Sequence, residues 1–123
     1  MIVQLADCGR SESGFAERAD CTVRATAAAL GIKYDEAHAK LAALGRKDRA
    51  RFKFQKHASA LGLETRPDLA CRTVEKALKE MQRGRFVVRV AHHVFAVVNG
   101  TVLDMMPPKP KARVKMVYQS EVL

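Results

Sequence analysis

The sequence predicts an α+β fold, with helices in the first two thirds and an antiparallel sheet in the last third. Three observations carry this. Helix-forming segments closed by glycines (Gly31, Gly45, Gly62 and Gly84) occupy most of residues 20–84. Beyond them come β-branched and aromatic runs, "FVVRV" and "VFAVV". Between "HVFAVV" and "TVLDMM" stands Asn99-Gly100, the pair that favours a two-residue type I′ hairpin turn.

Each element follows in order. Residues 1–19 are mixed, and Gly9 and Gly14 break any long element. Asp20 is the expected N-cap of a first helix whose body, Ala25 to Leu30, is rich in strong helix formers. "YDEAHAKLAALG" gives a second, with Asp35 and Glu36 in the first turn and Gly45 at its end. A third helical pattern runs through "FKFQKHASALG" to Gly62. "LETRPDLA" holds a short strand before Pro67, and Thr73 opens a fourth helix, "TVEKALKEMQRG". "ARVKMVY" alternates apolar and basic residues, as an edge or half-exposed strand would.

The chain has 123 residues, a length that suits one domain over 1–123. Hydrophobic residues at 48% and charged residues at 28% fit a globular composition rather than a disordered one. No run approaches the roughly 20 apolar residues of a membrane helix, so no membrane partner is expected. The first residues lack the basic and apolar regions of a secretory signal. Cys8, Cys21 and Cys71 are odd in number and widely spaced. That pattern suits free thiols and a cytoplasmic location better than a disulfide framework. Cys8 and Cys71 read as structural, and His38 and His57 as helix-surface residues. No Cys/His spacing suits zinc and no glycine loop suits a phosphate, so neither metal nor cofactor is expected.

The net charge of +9 favours anionic partners. Arg46 to Lys56 holds six basic residues against the single Asp48. Arg46, Lys47, Arg49, Arg51 and Lys53 are therefore the binding candidates. Such a run is most often a solvated face, so nucleic acid is a secondary expectation rather than the leading one.

The hairpin places chemistry. If Asn99-Gly100 form the turn, paired positions sum to 199, and Phe95 faces Asp104. With side chains alternating, His93, Phe95 and Val97 share a face with Val102, Asp104 and Met106. His93 and Asp104 become diagonal neighbours, about 7–8 Å apart at the backbone and within side-chain reach. His92 points the other way. A histidine oriented by a carboxylate is what a general base needs. Cys21, at the start of the first helix, lies at the positive end of that helix's dipole. A thiol there, paired with His93, is expected to have its pKa lowered into the reactive range.

The order Cys, His, Asp on an α-then-β chain resembles the papain-like cysteine peptidases, and most closely small members from bacteria and their phages. The residues that carry this are "DCTVRA" (Asp20 to Ala25), "GIKYDEA" (Gly31 to Ala37), "HVFAV" (His93 to Val97) and Asp104. "GFAERADC" and "LGRKDR" add to it, so the likeness spans most of residues 14–105. It implies a single papain-like domain over 1–123, with the nucleophile helix packed on a C-terminal antiparallel sheet. It also implies Cys21 as nucleophile, His93 as base and Asp104 as orienting residue. The implied activity is hydrolysis of a peptide, isopeptide or related amide, and the small size of the chain makes narrow specificity the expectation. The implied substrate is a peptide or protein, acidic if the basic surface recruits it, in the cytoplasm (the host's, for a phage protein).

Two departures stand out. The papain pattern has a Gln six residues before the Cys, as oxyanion donor, and this chain has Phe15. Glu17 and Gln4 are the substitutes, though a carboxylate donates only when protonated. "AHH" replaces the usual Gly-His, which keeps His92 as an alternative to His93. The competing reading is a basic nucleic-acid- or protein-binding module on a degenerate papain-like fold. A third is an inhibitor that binds a host protein through the same basic face.

Overall fold

A computed structural model of the protein describes residues 1–121. Within them, six strands form one sheet in the order β1-β5-β4-β3-β6-β2. The strands are β1 (Ile2–Leu5), β2 (Leu63–Thr65), β3 (Arg85–Val90), β4 (His93–Val98), β5 (Thr101–Asp104) and β6 (Met116–Ser120). The helices are α1 (Cys21–Leu30), α2 (Tyr34–Ala43) and α3 (Val74–Leu78). The architecture is α+β.

The hairpin β4–β5 forms in the register that the Asn-Gly pair dictates. Asn99 and Gly100 have φ of 47° and 83°, both positive as a type I′ turn needs. Val98 pairs with Thr101, and Ala96 with Leu103. A second two-residue turn, Ala91-His92, joins β3 to β4 and pairs Val90 with His93.

Alternation along these strands divides the core in two. Val87, Val94, Ala96 and Tyr118 face α1 and α2, against Val23, Ala25, Ala27, Ala37 and Leu41. Phe86, Val88, Phe95, Val97, Val102 and Val117 face the other layer, against Leu69, Val74, Leu78 and Met81. Apolar surface buried on both faces explains why β3 and β4 read as continuous hydrophobic runs. The alanines of α1 let that helix lie close to the sheet. Its end is closed by Gly31 in the left-handed region (φ 66°), with the Gly31 and Ile32 amides donating to the Ala28 and Ala27 carbonyls.

Several expectations are corrected. The sheet is mixed rather than antiparallel, because Ile2–Leu5 form an edge strand parallel to β5. Four residues with little burial give no periodic signal to reveal it. β6 is internal, between β3 and β2, and not an edge. Its basic neighbours, Arg113 and Lys115, precede the strand, and within it both faces are covered. The third helix is replaced by two 3-10 turns, Phe54–Lys56 and Ser59–Leu61. Phe54, Ala58 and Leu61 are buried at helical spacing, but the run is broken at His57 (φ −128°), whose ring stacks on Phe52. The fourth helix is short. Thr73 caps it by accepting from the Lys76 amide, and the Gln82 side chain donates to the Leu78 carbonyl at its end. Cys71, read as structural, is exposed. Among the described residues no helix is long and apolar enough to cross a membrane.

Phe54, 1% exposed and edge-on to Tyr118, anchors the segment 51–55 to the sheet. Phe54→Ala is expected to lower unfolding free energy by about 3–5 kcal/mol in urea titrations, whereas a loss under about 1 kcal/mol would show that the segment is not anchored there.

Candidate active site

Two turns and one helix end build the site. The Ala91-His92 turn starts β4 at His93, and the Asn99-Gly100 turn brings β5 back so that Asp104 ends beside it. His93 Nε2 and Asp104 Oδ2 are 2.7 Å apart. The pairing inferred from strand parity therefore exists as a hydrogen bond. His92, the alternative, stands exposed on the turn at a φ of 59° and makes no such contact.

Because His93 and Asp104 lie at strand ends, α1 can reach them. Arg24 Nη1 donates to Asp104 Oδ1 at 2.9 Å, and the Met105 amide donates to the same oxygen at 2.8 Å. Cys21 is the first residue of α1. Its thiol lies against His93 and the Val94 amide. With Nε2 committed to Asp104, Nδ1 is the imidazole nitrogen left for the thiol.

The network continues behind the site. Asp20, 1% exposed, accepts from Arg24 Nε and Arg10 Nη1, both at 3.2 Å, and from the Tyr34 hydroxyl at 2.8 Å. It does not cap α1 with its side chain, as the sequence suggests; its carboxylate is taken by these donors. Arg24, Arg10 and Tyr34 are the site residues that the sequence reading did not single out. Only Arg24 carried a signal. Asp20 and Arg24 are spaced i, i+4 on a helix, where opposite charges meet.

The electrostatics favour a charged thiol–imidazole pair. Burial raises the Cys21 thiol, but His93, the Val94 amide and Arg24 together outweigh it and hold it below its ordinary value. The hydrogen bond to Asp104 and that to Cys21 outweigh burial at His93 and push it up to about 9. Burial also raises Asp104, but His93, the Met105 amide and Arg24 bring it below the usual carboxylate range. Cys8 behaves oppositely: burial pushes it up to about 11, which suits an inert structural thiol.

Neither oxyanion candidate lies where that role needs it. Gln4 is exposed on β1 opposite Leu103 and does not line the cleft around Cys21. Glu17 belongs to a separate buried cluster. Arg46 binds both of its oxygens at 3.0 Å, His38 Nε2 lies 2.7 Å away, and the Arg49 amide donates at 2.8 Å. Arg46 hydrogen bonding, opposed by burial and aided by Arg49 and His38, holds Glu17 down to about 2. A carboxylate so saturated cannot be a protonated donor. Arg46, proposed for binding, is buried in this pair, and His38, proposed as a surface residue, is buried with its ring stacked on Phe15. Glu17, His38 and Asp48 bring potential ligand atoms within 4.8 Å of one another. The Arg46 guanidinium already holds both Glu17 oxygens there, so the set does not suit a cation.

The other binding candidates divide. Lys47 and Arg49 are exposed away from the cleft, whereas Arg51 and Lys53 line it. The cleft, about 830 Å³, has Cys21 and His93 in its wall, together with Arg89, Val90, Ala91, His92 and Lys115. No family model, curated protein or solved structure matches the chain.

Glu17 makes a pH prediction. Its folded pKa lies below the ordinary 4.5, so its stabilisation is complete above pH 4.5 and is lost as pH falls toward about 2. Urea midpoints of the wild type should fall more steeply over that range than those of Glu17→Gln, which should already be the less stable protein at neutral pH. Parallel curves would contradict the assignment.

Proposed function

We propose that the protein is a cysteine-dependent hydrolase of the papain-like type, acting on a peptide, isopeptide or related amide. One observation carries this reading: His93 is held between Asp104 on one side and the Cys21 thiol on the other. Nucleophile, base and orienting carboxylate come from three separate elements and meet at the wall of an open cleft.

The chemistry follows from the geometry. Cys21, as thiolate, attacks the substrate carbonyl carbon. The oxygen that becomes negative lies at the N-terminus of α1, where amides without helical partners and the helix dipole stabilise it. A hole built from backbone, with the Cys21 amide as its first donor, replaces the absent Gln. His93, protonated at the outset, gives its proton to the leaving nitrogen as the C–N bond breaks. Water then attacks the thioester, His93 takes its proton, and the C–S bond breaks to release the acid and restore the thiolate. Asp104 stays charged throughout and stabilises the imidazolium, while Arg24 keeps the carboxylate aimed.

A simple acyl donor, p-nitrophenyl acetate, tests the reading without knowledge of the natural substrate. Acetylation located by mass spectrometry should appear first on Cys21, with a burst of nitrophenolate that Cys21→Ala abolishes. His93→Ala should slow that acylation by about 100-fold or more. Equal acetylation of Cys8, Cys21 and Cys71, or no effect of His93→Ala, would contradict it.

A further inference from the structure

The cleft beside Cys21 is cationic on both walls. One wall is the segment that Phe54 anchors, and it presents Arg51 and Lys53, both exposed. The other is the end of β3 and the residue before β6, and it presents Arg89 and Lys115. These two are held side by side, because the Lys115 amide donates to the Arg89 carbonyl at 2.7 Å. The Arg89 guanidinium is oriented as well, with Nε donating to the Tyr118 hydroxyl at 3.2 Å.

The one anion that the hydrolase reading places in the cleft wall, the Cys21 thiolate, is matched by the His93 imidazolium. Among the described residues that line it, none is Asp or Glu. The carboxylates behind it, Asp20 and Asp104, are 1% and 3% exposed and are engaged by Arg24. Arg24 is thus neutralised by its own partners, and the field in the cleft is set by Arg51, Lys53, Arg89 and Lys115. Like charges along a concave, low-dielectric wall concentrate an anionic ligand there.

The lining also separates two kinds of polyanion. Single-stranded nucleic acid is held by stacking bases on aromatic faces. Here Phe54 is buried at 1% exposure, and the ring of Phe52 is stacked on His57 at 4.7 Å. The wall also includes Ala19, Thr22, Val90, Ala91 and Val94, small or β-branched residues that leave room for a peptide backbone.

We infer that the Cys21 cleft takes an acidic peptide, with Asp or Glu side chains on either side of the reacting carbonyl meeting Arg51 and Lys53 on one wall and Arg89 and Lys115 on the other. This rests on the hydrolase reading for the identity of the reacting carbonyl, but the binding itself can be tested apart from it.

The test is protection of Cys21 from iodoacetamide in the full chain, read as the ratio of alkylation rates without and with a short poly-glutamate peptide. The comparison probes are a poly-lysine peptide and an oligothymidylate of equal charge. Poly-glutamate should slow alkylation by about tenfold or more at low salt and lose that effect in molar salt, while poly-lysine does not protect. In the double variant Lys53→Glu, Lys115→Glu the ratio should fall to within about twofold of unity. Absent protection, equal protection by poly-lysine, stronger protection by oligothymidylate, or full protection in the double variant would each overturn the inference. The hydrolase reading fails separately, through slow alkylation without peptide that His93→Ala leaves unchanged.

Discussion

Asp104 joins three elements through one buried carboxylate. It ends β5, it receives His93 from the start of β4, and it receives Arg24 from α1. Removing a carboxylate from water costs several kcal/mol unless partners replace the lost hydration. Here three donors do so, and each comes from a different part of the site. The interaction therefore constrains the structure in two ways. β4 and β5 must hold the register that sets residue 93 beside residue 104, and α1 must approach the sheet end closely enough for a guanidinium to reach. The alanines of α1 and the Asn99-Gly100 turn meet those two demands.

Charges alternate along the network. Arg10 meets Asp20, Asp20 meets Arg24, Arg24 meets Asp104, and Asp104 meets His93, with Cys21 at the open end. A cationic His93 and an anionic Cys21 extend the alternation by one more pair. A neutral pair would leave Asp104 facing an uncharged ring and Arg24 carrying the whole compensation. Hence the position of the thiol at the end of the series, and not the helix dipole alone, favours its ionised form. The Glu17–Arg46 pair is a second buried ion pair with its own partners, and it packs the loop after α2 without reaching the cleft.

The sequence revealed Cys21, His93 and Asp104 more fully than the residues that support them. His93 and Asp104 could be paired in advance because a two-residue turn fixes register, and register fixes faces. Cys21 was legible through its place before an alanine-rich helix. Arg24 was not, because an arginine on a helix is usually solvated and only the folded sheet brings Asp104 within its reach. Glu17 was misplaced for the same reason, since spacing along the chain cannot say which carboxylate a buried arginine will claim, and Gln4 because it lies on the unforeseen β1. β1 was missed because four residues, of which only Val3 is partly buried, carry no periodicity, and the 3-10 turns because burial at i, i+4, i+7 is shared by a helix and by two shorter turns. The cationic cleft was half visible. Arg51 and Lys53 lie in an evident basic run, but Arg89 and Lys115 join them only through the pairing of β3 with the approach to β6.

The most direct test of the account is the pH dependence of Cys21 alkylation by iodoacetamide, followed site by site, in the wild type and in Asp104→Asn. The account predicts a wild-type midpoint well below the ~8.5 of a free thiol, with Cys21 reacting faster than Cys8 or Cys71. In Asp104→Asn the midpoint should rise toward the ordinary value, because the imidazolium loses the carboxylate that holds it charged. A wild-type midpoint at or above ~8.5, unmoved by Asp104→Asn, would mean that Cys21 is a packing residue and that the network stabilises the fold without activating a nucleophile.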